Sequence, residues 1–530
     1  MHEAAQDTDH GALAPGDGGA RVTGFDASTS SAPAEASIAR NTVLAFAAQL
    51  ATGTFTAVLT LYLLRALGPN EYGVFALAVS IGAMAGLLAD FGVEHSVARF
   101  LAERRGDEAV VAELLRGALR LKVATTALVT GALFAAAGPI AAAFDEPELT
   151  WPLRVIALAV FGESIFMLYV TAFIGLARVG VNLRLIVLES SVETGASIAL
   201  VALGAGAAGA AFGRAAGYLF GAIVAVAVVA RLFGRAAVRP FGTDGGQTRT
   251  IARYAAPLLV TTSIYTVFSR VDILIIGALL GATAVGVFSA PLLLSVPLRY
   301  VGQAVANSVA PRQAGGGSEP GSVEAFRTSL RWLVVYQAAL LAPLIVWADP
   351  IVDLLFGGEY DESADVLRAL AIYIFLAGPS PLISTTVNYL GQAARRIPIV
   401  LLALALNVAV DLALIPRIGV VGAAIGSSVA YALYVPAHLR ICRRELGVPL
   451  RPLAVTLARA LLAAAAMGLV LLAVGTGSLS LAEWLLGGAA GTLAFCTALV
   501  LTGEISISEL RRGMRAARSG ASRLAARGTR

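Results

Sequence analysis

The sequence predicts an all-α polytopic membrane protein of about fourteen transmembrane helices, arranged as two parallel six-helix repeats followed by a C-terminal helix pair. Composition, the sidedness of the arginines and an internal repeat predict it. Charged residues are 14% of the 530-residue chain and hydrophobic residues 58%, whereas soluble domains average roughly 25% charged. Apolar runs of about 20 residues, the length that crosses a bilayer, recur from Asn41 to Gly503 with short polar gaps. Soluble multidomain architectures are thereby excluded.

The runs fall at 41–65, 72–93, 120–143, 152–176, 183–204 and 207–232, which make an N-terminal lobe over 39–232. A second set falls at 252–279, 284–309, 329–354, 366–391, 397–416 and 418–441, a C-terminal lobe over 250–442. A last pair, 454–475 and 481–503, lies within 452–503. Residues 1–38, rich in Ala, Gly, Asp, Ser and Thr, lack the basic start and apolar run of a cleavable signal peptide and read as a disordered cytoplasmic tail. Residues 504–530 form a basic tail, expected to be cytoplasmic and suited to lie on anionic lipid.

Orientation follows from the arginines, which accumulate in cytoplasmic loops. With the N-terminus inside, alternate loops collect Arg99, Arg104, Arg105, Arg116, Arg120 and Lys122, then Arg231, Arg235 and Arg239, and later Arg440, Arg443 and Arg444. The opposite loops hold only Arg65, Arg154, Arg368 and Arg417. Both termini are therefore expected on the cytoplasmic side of a plasma (inner) membrane. The formal charge of +5 is spread over these loops and the tail, which argues against nucleic acid as a partner. Cys442 and Cys496 are isolated and the four histidines are scattered, so no metal or cofactor is expected.

The repeat has an offset near 213 residues. Leu67-Gly-Pro-Asn-Glu-Tyr-Gly-Val-Phe75 answers to Leu280-Gly-Ala-Thr-Ala-Val-Gly-Val-Phe288, and the glycine pattern of Gly206–Tyr218 answers to that of Gly419–Tyr431. Each third span of a set is followed by an acidic outer loop, and Leu153-Arg154 answers to Leu367-Arg368. Six spans per unit set both units the same way up, the arrangement that places a substrate between two rocking lobes.

Three stretches carry a family resemblance: Arg65–Phe75, Asp90-Phe-Gly-Val93 running into Ala98–Glu103, and Ser269-Arg-Val-Asp-Ile-Leu-Ile-Ile-Gly277. With the span count and the repeat, the chain resembles the polysaccharide transporters, or O-antigen-type oligosaccharide flippases, of the multidrug/oligosaccharidyl-lipid/polysaccharide (MATE-like) superfamily. The resemblance implies flipping of a polyprenyl-diphosphate-linked oligosaccharide from the cytoplasmic to the outer leaflet, with no reaction catalysed. It also implies a cationic central cavity for the diphosphate, which makes Arg214, Arg270 and Arg299 the substrate-binding candidates. Arginine suits that role because its planar fork donates paired hydrogen bonds and stays charged. For Arg270, pairing with Asp272 or snorkelling to the interface is the competing reading.

Charges inside spans are costly and normally face a cavity or a partner. Glu189 and Glu193 are four apart on the fifth span, and Asn407 and Asp411 are four apart on its repeat counterpart, so each pair shares a helix face. With Glu163 and Asp272 they are candidates for proton or sodium coupling. Interhelical hydrogen bonding that sets packing is the alternative. Pro257, Pro291, Pro297, Pro343, Pro379 and Pro381 interrupt spans of the second set and mark bends.

A cation-coupled multidrug antiporter would favour a carboxylate on the first span, which has Gln49 and no acid. A membrane glycosyltransferase or polymerase would need a catalytic loop larger than these connections. No nucleotide-binding Gly-rich loop is present either.

Overall fold

The computed structural model describes residues 31–241, 246–314, 320–506 and Glu509, all-helical apart from turns and connections, with no strand among them. Met1–Val43 form one unit, and Leu44–Arg530 form a second, compact one. Residues 1–30 of the expected disordered tail lie outside the described residues, and 31–38 are helical. Most of the basic tail also lies outside them.

The helices are α1 (Ser31–Asp90), α2 (Val93–Glu103), α3 (Glu108–Ala143), α4 (Thr150–Gly175), α5 (Val179–Ala202) and α6 (Gly206–Phe233). There follow α7 (Gln247–Leu280), α8 (Ala282–Val309), α9 (Ser322–Val346), α10 (Ala348–Phe356), α11 (Ser363–Ala377), α12 (Ser380–Tyr389), α13 (Arg396–Ile418) and α14 (Val420–Leu446), then α15 (Leu450–Val474) and α16 (Leu481–Leu501). Among the described residues, 12 helical segments are long and apolar enough to cross a membrane, which makes this a multi-pass membrane protein. One of them, Ala47–Asp90, covers most of the first two predicted spans. The predicted seventh span falls on α7, which is not among the 12. The total of fourteen remains an expectation.

The bend in α1 is local chemistry. Gly68 takes φ 71° and ψ 177°, open to glycine at little cost, and Pro69 follows it. Gly281, its partner at the 213 offset, takes φ 83° and ψ −177° between α7 and α8. The two Leu-Gly matches are thus one turn used twice. A second matched pair sets helix contact: a Cβ on Gly213 would lie 2.1 Å from Ser197 Oγ, and one on Gly426 would lie 1.9 Å from Asp411 Oδ1. These glycines let α6 approach α5, and α14 approach α13, closely. The tenth predicted span is broken where Pro379 caps α12, giving α11 and α12. Pro291 and Pro297 stay within α8 and Pro343 within α9, while the Pro257 side chain lies outside what is described.

The largest apolar cluster joins the two sets of helices at one end, with Leu63, Leu64 and Tyr72 packed among Val285, Phe288 and Tyr360. Polar contacts fasten the same end. Tyr360 Oη donates to Leu64 O at 3.1 Å, and Thr283 Oγ1 donates to Asn70 Oδ1 at 3.1 Å. The Ala282 amide, first in α8, donates to Glu146 Oε1 at 2.7 Å, which puts a carboxylate on a helix N-terminus. Arg65 Nε donates to Leu355 O at 3.0 Å in the last turn of α10, and a second nitrogen reaches Leu354 O. Every residue of this seal except those inside α10 lies at or beside a turn that the arginine rule places outside.

The same geometry explains two other arginines on that side. Arg368 pairs with Asp365 at 2.7 Å and with Asp349, and Arg154 stacks between Phe134 and Trp151 at 5.6 and 5.2 Å. These are charges with fixed local partners. The C-terminal pair docks on α9 through a separate apolar cluster, where Trp347 meets Trp484 edge-on at 5.0 Å and donates from Nε1 to Gly475 O at 3.0 Å.

Candidate functional site

Two adjoining cavities, of about 480 and 320 Å³, open between the first six-helix set and the helices α7 and α8. They share Val79, Met167, Arg214 and Arg270 in their walls. In the larger one, α1 presents Thr52, Thr56 and Thr60 at four-residue spacing, a single hydroxyl-bearing face. The cavity is therefore polar on one side and arginine-bearing on the other.

Arg214 projects from α6, whose Gly217 brings that helix against Glu193 of α5, since a Cβ there would lie 2.6 Å from the Glu193 Cβ. Its Nη1 donates to Glu193 Oε1 at 3.0 Å and its Nη2 lies 3.7 Å from Glu163 Oε2. The guanidinium also sits 4.9 Å from the Tyr218 ring centre and donates to Tyr218 Oη at 3.3 Å. Two carboxylates and a phenol thus clamp Arg214. Glu189, one turn from Glu193, is 5% exposed. One of its oxygens accepts from Ser190 Oγ at 3.0 Å, and the other has no hydrogen-bond partner among the described residues.

Arg270 lines both cavities from α7. Among the described residues it makes no hydrogen bond or ion pair. The sequence-level alternative of an Arg270–Asp272 pair is not what forms. Asp272 turns the other way, where its Oδ1 accepts from Asn407 Nδ2 at 2.8 Å and its Oδ2 from Ser427 Oγ. Asn407 Nδ2 also donates to Asp411 Oδ2 at 3.0 Å. Asp411 is fully buried and its Oδ1 has no hydrogen-bond partner among the described residues. Asp272, Asn407, Asp411 and Ser427 are therefore an all-oxygen-and-amide cluster between α7, α13 and α14, with two carboxylates and no basic partner among the described residues. Arg299 lies on α8, outside the walls of both cavities.

One group was missed from sequence. Lys122, counted among the loop charges, is fully buried in α3. Its Nζ donates to Asp90 Oδ1 at 2.7 Å, Glu94 Oε1 at 2.8 Å and Ser164 Oγ at 3.1 Å, and Thr126 bonds Ser164 at 2.9 Å. This network is part of the wall of the smaller cavity. The signal available was the motif Asp90-Phe-Gly-Val93: Phe91 (φ 49°) and Gly92 (φ 72°) turn the chain there, which sets Asp90 and Glu94 side by side over α3.

Residues 38–314 match a family described as polysaccharide biosynthesis protein. The chain belongs to that family. Its C-terminal half adds a match to the MatE family over residues 257–413. Among curated relatives, the polysaccharide biosynthesis family member is 22% identical over 406 residues to the probable low-salt glycan biosynthesis flippase Agl15 of Haloferax volcanii, covering 76% of this chain and 82% of that one. Among solved structures it resembles the lipid II flippase MurJ in an inward closed conformation, with TM-score 0.71 at 11% identity over 87% of this chain and 98% of that one. It also resembles an inward-facing multidrug resistance MATE family transporter of the MOP superfamily, with TM-score 0.57 at 17% identity over 76% and 99%. These structural likenesses establish the shared fold. The family read from the sequence motifs is the one found.

Proposed function

We propose that this protein flips a lipid-diphosphate-linked oligosaccharide from the cytoplasmic to the outer leaflet of the plasma membrane for surface polysaccharide synthesis. The observation that carries the reading is Arg270, a cation facing the cavity with no hydrogen bond or ion pair among the described residues. Glu163 in the wall of the smaller cavity acts on Arg270 through space only, so the N–H donors of this guanidinium are open to an anion, and its fork geometry fits a phosphate. The names of the relatives, a glycan biosynthesis flippase and a lipid II flippase, point to the same cargo. The hydroxyl face of Thr52, Thr56 and Thr60 suits a polyhydroxylated sugar beside the phosphates. It also counts against a multidrug antiporter, because no acid stands on that stretch of α1.

With both termini cytoplasmic, the end fastened by Arg65, Glu146 and Tyr360 is the outer one, so the cavity is shut from outside. Alternating access then requires these lobe-to-lobe bonds to part while the cytoplasmic end closes, with the lipid tail remaining in the bilayer. No bond in the cargo is made or broken. In a host lacking this protein, the lipid-linked oligosaccharide should accumulate on the cytoplasmic leaflet, and re-expression should clear it. Unchanged leaflet distribution on deletion, with no other flippase present, would overturn the reading.

Of the acidic candidates, Glu163 and Glu193 are matched by Arg214, and they position that arginine in the cavity wall. The ion-coupling role is assigned to Asp272 and Asp411, joined by Asn407 and Ser427, and Glu189, whose second oxygen also lacks a hydrogen-bond partner among the described residues, stays a candidate beside them. Oxygen donors around two buried carboxylates fit a sodium ion or a shared proton, and the orphaned Asp411 Oδ1 is available to it. Asp411→Asn is expected to abolish the dependence of transport on the sodium or proton gradient. An undiminished gradient dependence in that variant would remove the cluster from coupling.

A further inference from the structure

A cavity of about 530 Å³ lies at the opposite side of the C-terminal helix pair from its Trp347–Trp484 contact, where the first turns of α9 and α15 meet the segment after α16. It is lined by Arg327, Arg331, Arg451 and Arg459, with Thr328 and Thr456. Its acidic groups are Glu324 and Glu504, and Glu509 reaches Arg331 at 3.5 Å. The arginines outnumber the carboxylates, leaving a net positive pocket.

The hydrogen bonds divide the arginines by role. Glu504 is the buried hub: its Oε1 accepts from Arg331 Nε at 2.7 Å and from Thr456 Oγ1 at 2.8 Å. Its Oε2 accepts from Arg459 Nη1 at 3.4 Å. That Arg459 nitrogen also donates to Gly503 O at 3.2 Å, and the rest of its fork makes no hydrogen bond among the described residues. Arg327 uses one nitrogen on Glu324 at 2.9 Å. Arg451 makes no hydrogen bond or ion pair among the described residues. A guanidinium carries five N–H donors, so several in this pocket have no partner among the described residues.

The rim is apolar and exposed. Val455, in the pocket wall, is 41% exposed. Trp332 is 41% exposed beside the Arg331 guanidinium, which lies 5.3 Å from its ring centre, and tryptophan gathers at the headgroup level of bilayers. Leu461 and Leu462 continue the exposed apolar surface along α15.

We propose that this pocket is a binding site for the phosphate headgroup of an anionic phospholipid, which staples α15 and its partner helix to α9 at the membrane interface. A phosphodiester accepts from Arg451, Arg459 and Arg327 together, and its acyl chains lie along the exposed leucines of α15. The cargo site is separate from it, so the two assignments stand or fall independently.

The test uses the full chain in nanodiscs of phosphatidylcholine doped with phosphatidylglycerol, with the lipid retained after delipidation read by mass spectrometry. Wild-type protein should retain phosphatidylglycerol in preference to phosphatidylcholine. Arg451→Gln should weaken that retention roughly fivefold, the factor expected for one arginine at a charged lipid surface, and Arg459→Gln should do likewise. Arg443→Gln, an exposed arginine on α14 with the same loss of charge, should leave it unchanged. Equal loss in the Arg443 variant, or none in the Arg451 variant, overturns the site. Displacement of the lipid by millimolar inorganic phosphate would reassign the pocket to a free phosphate and overturn the lipid proposal.

Discussion

Arg270→Ala should slow flipping of a diphosphate-linked sugar by roughly 10- to 100-fold, the range that corresponds to losing hydrogen bonds to a charged group. Arg270 brings to both cavities a guanidinium with no hydrogen bond or ion pair among the described residues, and because it holds no other side chain in place, its removal should leave folding intact. Arg270→Lys keeps the charge and loses the fork, so it should fall between wild type and alanine. The comparison is made on initial rates in proteoliposomes at matched protein content. Arg214→Ala is a less clean probe, since it also strands Glu163 and Glu193 and should reduce stability along with transport. Wild-type rates for Arg270→Ala would remove this arginine from the cargo site.

Lys122→Met should be the most damaging single change to the fold, at about 3–5 kcal/mol, because removing one partner of a buried ion pair leaves the other charge uncompensated. Two carboxylates, Asp90 and Glu94, would be left facing each other over α3. Adding Asp90→Asn and Glu94→Gln to the same chain should restore much of the loss, since the triple variant replaces charges by neutral groups of similar shape. Thermal unfolding in detergent reads both steps. A Lys122→Met protein as stable as wild type would show that the network carries no structural weight.

Most of the membrane architecture was legible in the sequence because lipid imposes one pattern on every span, long apolar runs with charges exported to the loops. The turn at Gly68 and its echo at Gly281 were visible as a repeat, and the backbone conformations explain why the repeat keeps glycine there. What the sequence left open was which charges meet. Spacing alone put Glu189 and Glu193 on one helix face, but the approach of α6 that hands Glu193 to Arg214 depends on Gly213 and Gly217 packing across helices. Arg270 and Asp272 are two residues apart and so diverge around α7, one toward the cavity and the other toward α13. Lys122 escaped notice because a basic residue at a span boundary ordinarily reads as topology, and only the turn at Phe91 and Gly92 reveals the acids above it.

The central claim is that the cavity carries a lipid-diphosphate-linked oligosaccharide across the bilayer. Purified wild-type protein in proteoliposomes, loaded with a fluorescent polyprenyl-diphosphate oligosaccharide in one leaflet, tests it through the rate at which an impermeant quencher gains access to the label. The account predicts fast exchange for the diphosphate-linked sugar and slow exchange for the same sugar on an uncharged lipid. Equal rates for the two lipids, or none above protein-free vesicles in the presence of the coupling gradient, would contradict it.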